Sequence, residues 1–371
     1  MNKTVKYAAI ACVAVVIVLV AGFIGFYGSR LQTMDSIEEV QAFDDGYSIY
    51  RMDVKYQYDL DKLIGRGITD DQSMIDAIVK EAIPLIPVHV EVPSFGCTAF
   101  TMKDPDNGTM MGRNYDFKLD TSAMLVHCDP DGGYESVAFA ALDNISTNHP
   151  GSFKEKMACL TAPFICLDGM NEKGVSIAVL TLDSEPTDQD TGKDKIFTSL
   201  AIRLVLDRAA TTEEAVDLLR SYDMFAANGR DYHFYITDAT GDGRVVEYDC
   251  DSPGREMTVT KTEAVTNFFI MYSDKVEPDQ KNGHYGHGKE RYNRVIGIME
   301  SESSYSEETA WKALVATAQD PNPDDPTSNT QWSIVYSNTD LTASIVIRQH
   351  WDQKLVYDLN DNGLDDPDSD E

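Results

Sequence analysis

The chain has 371 residues, 42% hydrophobic and 25% charged, a balance that supports a packed core and excludes wholesale disorder. Its 62 acids against 31 bases leave a formal net charge of -31, which repels phosphate backbones and argues against nucleic acid as a partner. Six cysteines are too few for a disulfide scaffold, and they form no CxxC pair or zinc-finger spacing.

Residues 8–28 read AAIACVAVVIVLVAGFIGFYG, without a charge. At about 1.5 Å per residue such a run is long enough to cross a hydrocarbon core of about 30 Å. Lys3 and Lys6 precede it and Asp35, Glu38 and Glu39 follow, so the positive-inside rule puts the short N-terminal stub in the cytoplasm. A cleaved signal peptide, the rival reading, wants a shorter apolar region and a small-residue exit site, and neither is visible. The expectation is an uncleaved membrane anchor over residues 1–28 with the rest of the chain extracellular.

Residues 29–96 are polar apart from one helical pattern at 73–83, where Met74, Ile75, Ile78, Val79 and Ile83 approximate one face. Pro84, Pro87 and Pro93 then predict an extended segment. Residues 97–116 read as two strands around a turn at 104–108. Strand-like runs SAMLVHC, SVAFAAL and GVSIAVLTL follow, then the helix-like IFTSLAIRLVLDRA and TEEAVDLLRSY. A hairpin with a Gly-Asp-Gly turn, the strands EMTVTK and EAVTNFF, helices near 289–301 and 307–318, and alternating strands over 332–359 complete the order. Strands grouped in hairpins with helices between the groups predict an α+β fold, antiparallel sheets covered by helices.

The tail from Asp358 reads as solvated and acidic. Asp358, Asn360 and Asn362 match the first half of a calcium loop, but the twelfth position is Ser369, which lacks the bidentate carboxylate. His284 and His287 in GHYGHG have no third metal ligand nearby in sequence. No metal and no cofactor is therefore expected beyond that weak calcium candidate. Cys128, Cys159, Cys166 and Cys250 fit two disulfides or four buried thiols equally well.

The most informative stretch is Gly96-Cys97-Thr98, with Arg113 and Asp116 standing 16 and 19 residues beyond the cysteine. A hairpin brings its ends together, so the arginine and the acid can lie beside the sulfur. An arginine favours a thiolate, and an aspartate can orient an amine or a thiol. Gly96 leaves the carbonyl before Cys97 open to attack.

Cys97-Thr98, GRNYD at 112–116, GMNEKGVSIAVLTL at 169–182, YITDATGDGRVVEYD, Val265-Thr266-Asn267 and Arg291-Tyr292 occur in the order seen in one family. Over residues 97–359 the chain resembles the choloylglycine hydrolase group of N-terminal-nucleophile hydrolases, which includes penicillin V acylases and acid-ceramidase-like amidases. The resemblance implies a four-layer αββα sandwich: a pro-segment over 29–96, a catalytic domain over 97–357 and an acidic tail over 358–371. It implies that Cys97 is the nucleophile and, after autocleavage of the Gly96–Cys97 bond, the new N-terminus. Arg113 and Asp116 match the residues that tune and orient it, Asn267 the oxyanion asparagine and Arg291 the later active-site arginine. Asn114 and Thr181 fall on the substrate and oxyanion side. Thr181 departs from the family, since bile salt hydrolases carry an asparagine there and penicillin V acylases a tyrosine, which leaves the substrate open.

The function so implied is hydrolysis of a linear amide of a small N-acyl substrate, such as a conjugated bile acid, penicillin V or a lipid amide. An acyltransferase of the same fold, or a surface binding protein with a calcium-binding tail, is the alternative. The partners implied are the substrate, the chain's own pro-segment, the membrane and, as an option, further copies of the chain.

Overall fold

The computed structural model describes residues 3–84, 96–322 and 328–365. The expected extended segment around Pro87 and Pro93, and the tail beyond residue 365, lie outside them. A nine-stranded sheet runs, edge to edge, through Glu38–Ala42, Ser48–Val54, Ala123–Cys128, Ser136–Ala141, Asp168–Asn171, Ser176–Leu182, Asp231–Thr237, Arg244–Tyr248 and Met257–Lys261. A seven-stranded sheet runs through Ala264–Val265, Gly96–Asp104, Gly108–Asp116, Thr330–Ser337, Thr342–Ile347, Leu355–Asp358 and Gly363–Asp365. Within both sheets neighbours are antiparallel, except that Ser48–Val54 runs parallel to Ala123–Cys128.

The sheets face each other where Gly96–Asp104 meets Ser176–Leu182. Helices Thr198–Arg208 and Thr212–Arg220 cover the first sheet, and Lys289–Ser301 and Glu307–Thr317 cover the second. The fold is thus mixed α+β, with helix, sheet, sheet and helix in layers. Strands covered on both faces need not alternate in polarity, and AMLVHC and SVAFAA are buried at every position. The covering helices are one-sided. In Thr212–Arg220, Ala215, Val216 and Leu219 are buried while Glu213, Asp217 and Arg220 face water, and Thr211 caps the start by accepting from the Glu214 amide.

The membrane expectation is corrected. Among the described residues no helix is long and apolar enough to cross a membrane. The apolar run belongs to a longer helix, Lys3–Asp35, whose last turns are committed to the protein body. Arg30 is buried there, its guanidinium donating to the Ala82 carbonyl at 2.6 Å and the Glu81 carbonyl at 2.8 Å. Thr33 and Met34 are buried beside it. Counting charge-free positions located the apolar run but not the end of the helix, and the anchor, the membrane partner and the extracellular placement all rested on that count.

Residues 38–54 were not recognised as strands from sequence. They extend the nine-stranded sheet at one edge, with Ile49 and Met52 fully buried. Helix Asp71–Ala82 starts two residues before the expected 73–83 pattern and ends one residue before its end, and its start is capped by a capping box between Asp70 and Ser73. Met74, Ile78 and Ile83 are buried and Ile75 and Val79 partly so. Residues 49–83 therefore contribute side chains to the sandwich core.

Candidate active site

Cys97 opens the second strand of the seven-stranded sheet, where Gly96 pairs with Asp116, Cys97 with Tyr115 and Ala99 with Arg113. The turn closing this hairpin requires Gly108, whose φ of +75° and whose nearness to Thr339 leave no room for a side chain. Side chains alternate across a strand, so Cys97 and Arg113 share the face toward the other sheet. Both are fully buried.

The Cys97 backbone nitrogen donates to Asn267 Oδ1 at 3.0 Å, and its sulfur lies 3.5 Å from the Val179 carbonyl oxygen. Burial pushes the thiol up to about 12, against the pull of the Arg113 guanidinium. Arg113 donates through Nε to Asp168, which also accepts from Trp332 Nε1 at 3.1 Å and from the Tyr336 hydroxyl. Burial works against the Arg113 charge, but Cys97 and Asp168 outweigh it and hold the group protonated. Its Nη1 and Nη2 are buried and find no hydrogen-bond partner among the described residues. Two charged donors therefore stand unengaged on the face that carries the thiol.

Asp116 is buried, accepting from Thr330 Oγ1 at 2.6 Å and Gln319 Nε2 at 2.7 Å, with Arg291 at 3.8 Å. Burial raises its pKa, and Arg291 and these donors oppose the shift. Arg291, in the first turn of helix Lys289–Ser301, donates to the Cys97 carbonyl at 2.7 Å, Thr98 Oγ1 at 2.9 Å and Asn267 Oδ1 at 2.7 Å. Gly288 before it has a φ of +83°, which favours glycine, and a Cβ there would stand 2.4 Å from Arg291 Nη2. Asn267 completes the set: its Nδ2 donates to the Thr181 carbonyl at 2.9 Å. With two donors on one end of the amide and a carbonyl on the other, its orientation is forced.

The structure thus brings Cys97, Arg113, Asp116, Asn267 and Arg291 together, with the Thr181 backbone beside them. The Thr181 hydroxyl instead donates to the Asp231 carbonyl at 3.3 Å. Asn114 is corrected. One residue from Arg113 on the same strand, it points to the opposite face and ties helix Glu307–Thr317 to the sheet, donating to the Leu314 carbonyl at 2.9 Å and accepting from Ser333 Oγ at 2.6 Å. At the expected half calcium loop, Asp358 Oδ1 accepts from the Asn360 backbone at 2.8 Å and Asn362 Oδ1 from Arg51 at 2.7 Å, within the hairpin turn before Gly363–Asp365. A guanidinium stands there on one of the oxygens a cation needs.

Two contributors escaped the sequence reading. Asp168 anchors Arg113, and its signal, which the sequence reading did not use, is an acid after the apolar run FICL, directly before GMNEKG. The buried pair His233 and Glu247 sits behind Asn267, with His233 Nδ1 at 3.1 Å from Glu247 and Nε2 at 2.9 Å from the Thr266 carbonyl. Cys128, Cys159 and Cys166 are buried free thiols and Cys250 is a partly exposed one.

Residues 97–263 match the family model for linear amide C–N hydrolases of the choloylglycine hydrolase family. A mutant of the conjugated bile acid hydrolase from Clostridium perfringens aligns at a TM-score of 0.55 and 15% identity, over 72% of this chain and 95% of that one. A second variant of that hydrolase gives 0.55 and 15%, over 72% and 96%. Penicillin V acylase from Agrobacterium tumefaciens gives 0.49 and 20%, over 70% and 85%. No curated protein sequence matches the chain. The structural likeness is one of fold, and over residues 97–263 the chain is similar to the linear amide C–N hydrolases of the choloylglycine hydrolase family.

Proposed function

We propose that this protein hydrolyses the amide bond of a small N-acyl substrate with Cys97 as nucleophile, after scission of its own Gly96–Cys97 bond. The observation that carries the reading is the Arg113 guanidinium, pinned by Asp168 and left with two unengaged donors on the face of a buried thiol.

In the uncut chain the thiol holds its proton, pushed up to about 12 by burial, and its nitrogen is an amide with no basicity. Scission changes that. The thiol adds to the Gly96 carbonyl, its proton passes to the Cys97 nitrogen as the C–N bond breaks and the acyl group moves to sulfur, and water then hydrolyses that thioester to the Gly96 carboxylate, the Cys97 thiol and a free Cys97 α-amine. Such an amine has a pKa of about 7.7–8, so it can take the thiol proton near neutrality without a histidine. Asn267 Oδ1 already holds that nitrogen, which fixes the base beside the sulfur.

The thiolate then adds to the substrate carbonyl, and the unengaged Arg113 donors offer charge where the tetrahedral oxyanion forms. Asn267 Nδ2, expected to serve there, is donated to the Thr181 carbonyl in the uncut chain and must leave it to do so. The α-ammonium returns its proton to the leaving amine, and water hydrolyses the thioester to the acid and the free thiol. Intact-mass analysis of the purified protein, followed by a panel of acyl amides that includes bile-salt, penicillin V and lipid conjugates, tests the reading. No turnover of any amide by a chain starting at Cys97 would sink it.

A further inference from the structure

On the nine-stranded sheet, the turn after strand Arg244–Tyr248 carries Cys250 and Asp251, and the loop at 276–288 carries His284. The two segments meet at the protein surface. The Cys250 sulfur, one Asp251 carboxylate oxygen and a His284 ring nitrogen all lie within 4.8 Å of one another, with His284 Nε2 3.0 Å from Asp251 Oδ1. The other Asp251 oxygen is held from outside: Tyr285 OH donates to Oδ2 at 3.0 Å, and Lys275 Nζ stands 3.4 Å away. Lys275 is in turn fixed over the rings of Tyr272 and Tyr285. One carboxylate oxygen thus faces the histidine and the thiol while the other is oriented by neighbours, the arrangement in which outer groups aim a metal ligand.

We propose that Cys250, Asp251 and His284 form a binding site for a divalent zinc-type cation. Thiolate, imidazole and carboxylate are a borderline-soft donor set that suits zinc and leaves a fourth tetrahedral position for water. Calcium and magnesium, which need several oxygen ligands, are poorly served by a single carboxylate. Atoms about 2.0–2.3 Å from a common ion stand a little over 3 Å apart, so a small side-chain movement closes the cluster. The acidic surroundings that disfavour a thiolate favour a cation, and binding releases the thiol proton to solvent.

Such a site staples two loops at a place that matters. The loop carrying His284 also holds the strand end at Asn267, through the His287 amide on the Asn267 carbonyl at 2.8 Å and the Phe269 amide on the Tyr285 carbonyl at 3.0 Å. A cation joining His284 to the turn at 250–251 would therefore brace the backbone that presents Asn267 to Cys97. The binding claim stands independently of the catalytic one.

The test is titration of the full chain with cobalt(II), which gives a thiolate-to-metal absorption band when a cysteine ligates it. The site predicts one such complex per chain, displaced by zinc, with the band abolished in Cys250→Ser. Affinity should fall by at least about 10–100-fold in His284→Ala, a loss typical of disturbing even a ligand's outer partner. Because a variant can misfold, wild-type protein is also alkylated with and without zinc, and zinc should protect Cys250. A missing thiolate band at saturating cobalt, a band that survives Cys250→Ser, or a Cys250 alkylated at the same rate with zinc present would each overturn the proposal.

Discussion

The side-chain oxygen of Asn267 holds the Cys97 backbone nitrogen at 3.0 Å and shares that oxygen with Arg291 at 2.7 Å. Asn267 lies just beyond strand Ala264–Val265, which pairs with the strand carrying Cys97 through Val265 and Ala99. In the proposed mechanism the held atom turns from an amide into the base that activates its own sulfur, so Asn267 serves before and after scission.

Asn267→Ala should leave the fold in place and cut turnover by about 10²–10³, the usual cost of one oriented polar contact at such a site. Scission at Gly96 should slow as well, since the Cys97 amide is no longer positioned. Turnover is read by amide hydrolysis, scission by intact mass, and folding by circular dichroism. Wild-type turnover in this variant would remove Asn267 from the mechanism.

Asp168→Ala should destabilise the protein by roughly 3–5 kcal/mol, because it leaves the fully buried Arg113 without its counter-charge. Arg113→Ala leaves Asp168 with its donors Trp332 and Tyr336, so it should lower activity more than its loss of stability explains. Urea melts alongside turnover at a temperature where both variants are folded separate the two effects. Equal activity in wild type and Arg113→Ala would show that the unengaged donors have no role.

Stability should fall as pH rises above about 9. The buried thiols of Cys128 and Cys159 are raised by burial from an ordinary 9.0 to about 11 and about 12, and burial also raises that of Cys166. A raised folded value means that the folded state keeps the proton. The stabilisation is full below the unfolded value and is lost as pH climbs toward the folded one. Each thiol should cost up to about 1.4 kcal/mol per pH unit in that window. Urea melts from pH 8 to 10 give the slope, and Cys128→Ala should make it shallower; an unchanged slope would mean that Cys128 is not shielded.

Much of the site is legible in the sequence because it rests on local geometry. The hairpin spacing that sets Arg113 and Asp116 near Cys97 follows from turn residues at 104–108, and the strand period explains why Arg113 faces the thiol. The same period, applied to Asn114, already says that it faces away. Asn267 and Arg291 lie 170 and 194 residues from Cys97, so no local rule connects them and only the family resemblance named them. Asp168 and His233 were missed because buried polar partners are chosen in three dimensions. The strand Ser48–Val54 was missed although Tyr50, Met52 and Val54 alternate with Arg51 and Asp53, a period-2 signal hidden within a polar stretch. The first helix was misjudged because its end is set by Arg30 docking on Ala82, a contact that composition does not contain.

If scission occurs, the N-terminal piece should stay bound. Ile49 and Met52 are fully buried in a strand of the shared sheet, Leu63 in the short helix Leu60–Ile64 and Ile78 in helix Asp71–Ala82. At roughly 1.5–3 kcal/mol each on full burial, these side chains resist dissociation under native conditions. The two chains should co-elute in size-exclusion chromatography and separate only in denaturant. Ile78→Asp should release the chain starting at Cys97 more readily than Ile75→Asp, because Ile75 is only partly buried. Equal release, or spontaneous separation of the wild type, would contradict that packing.

The most direct measurement is the N-terminus of catalytically active protein, read by intact mass and peptide sequencing beside a Cys97→Ala control. The account predicts that activity on an acyl amide tracks the fraction of chains beginning at Cys97, and that the control is both uncut and inactive. Full activity from protein whose Gly96–Cys97 bond is intact, or from Cys97→Ala, would contradict it.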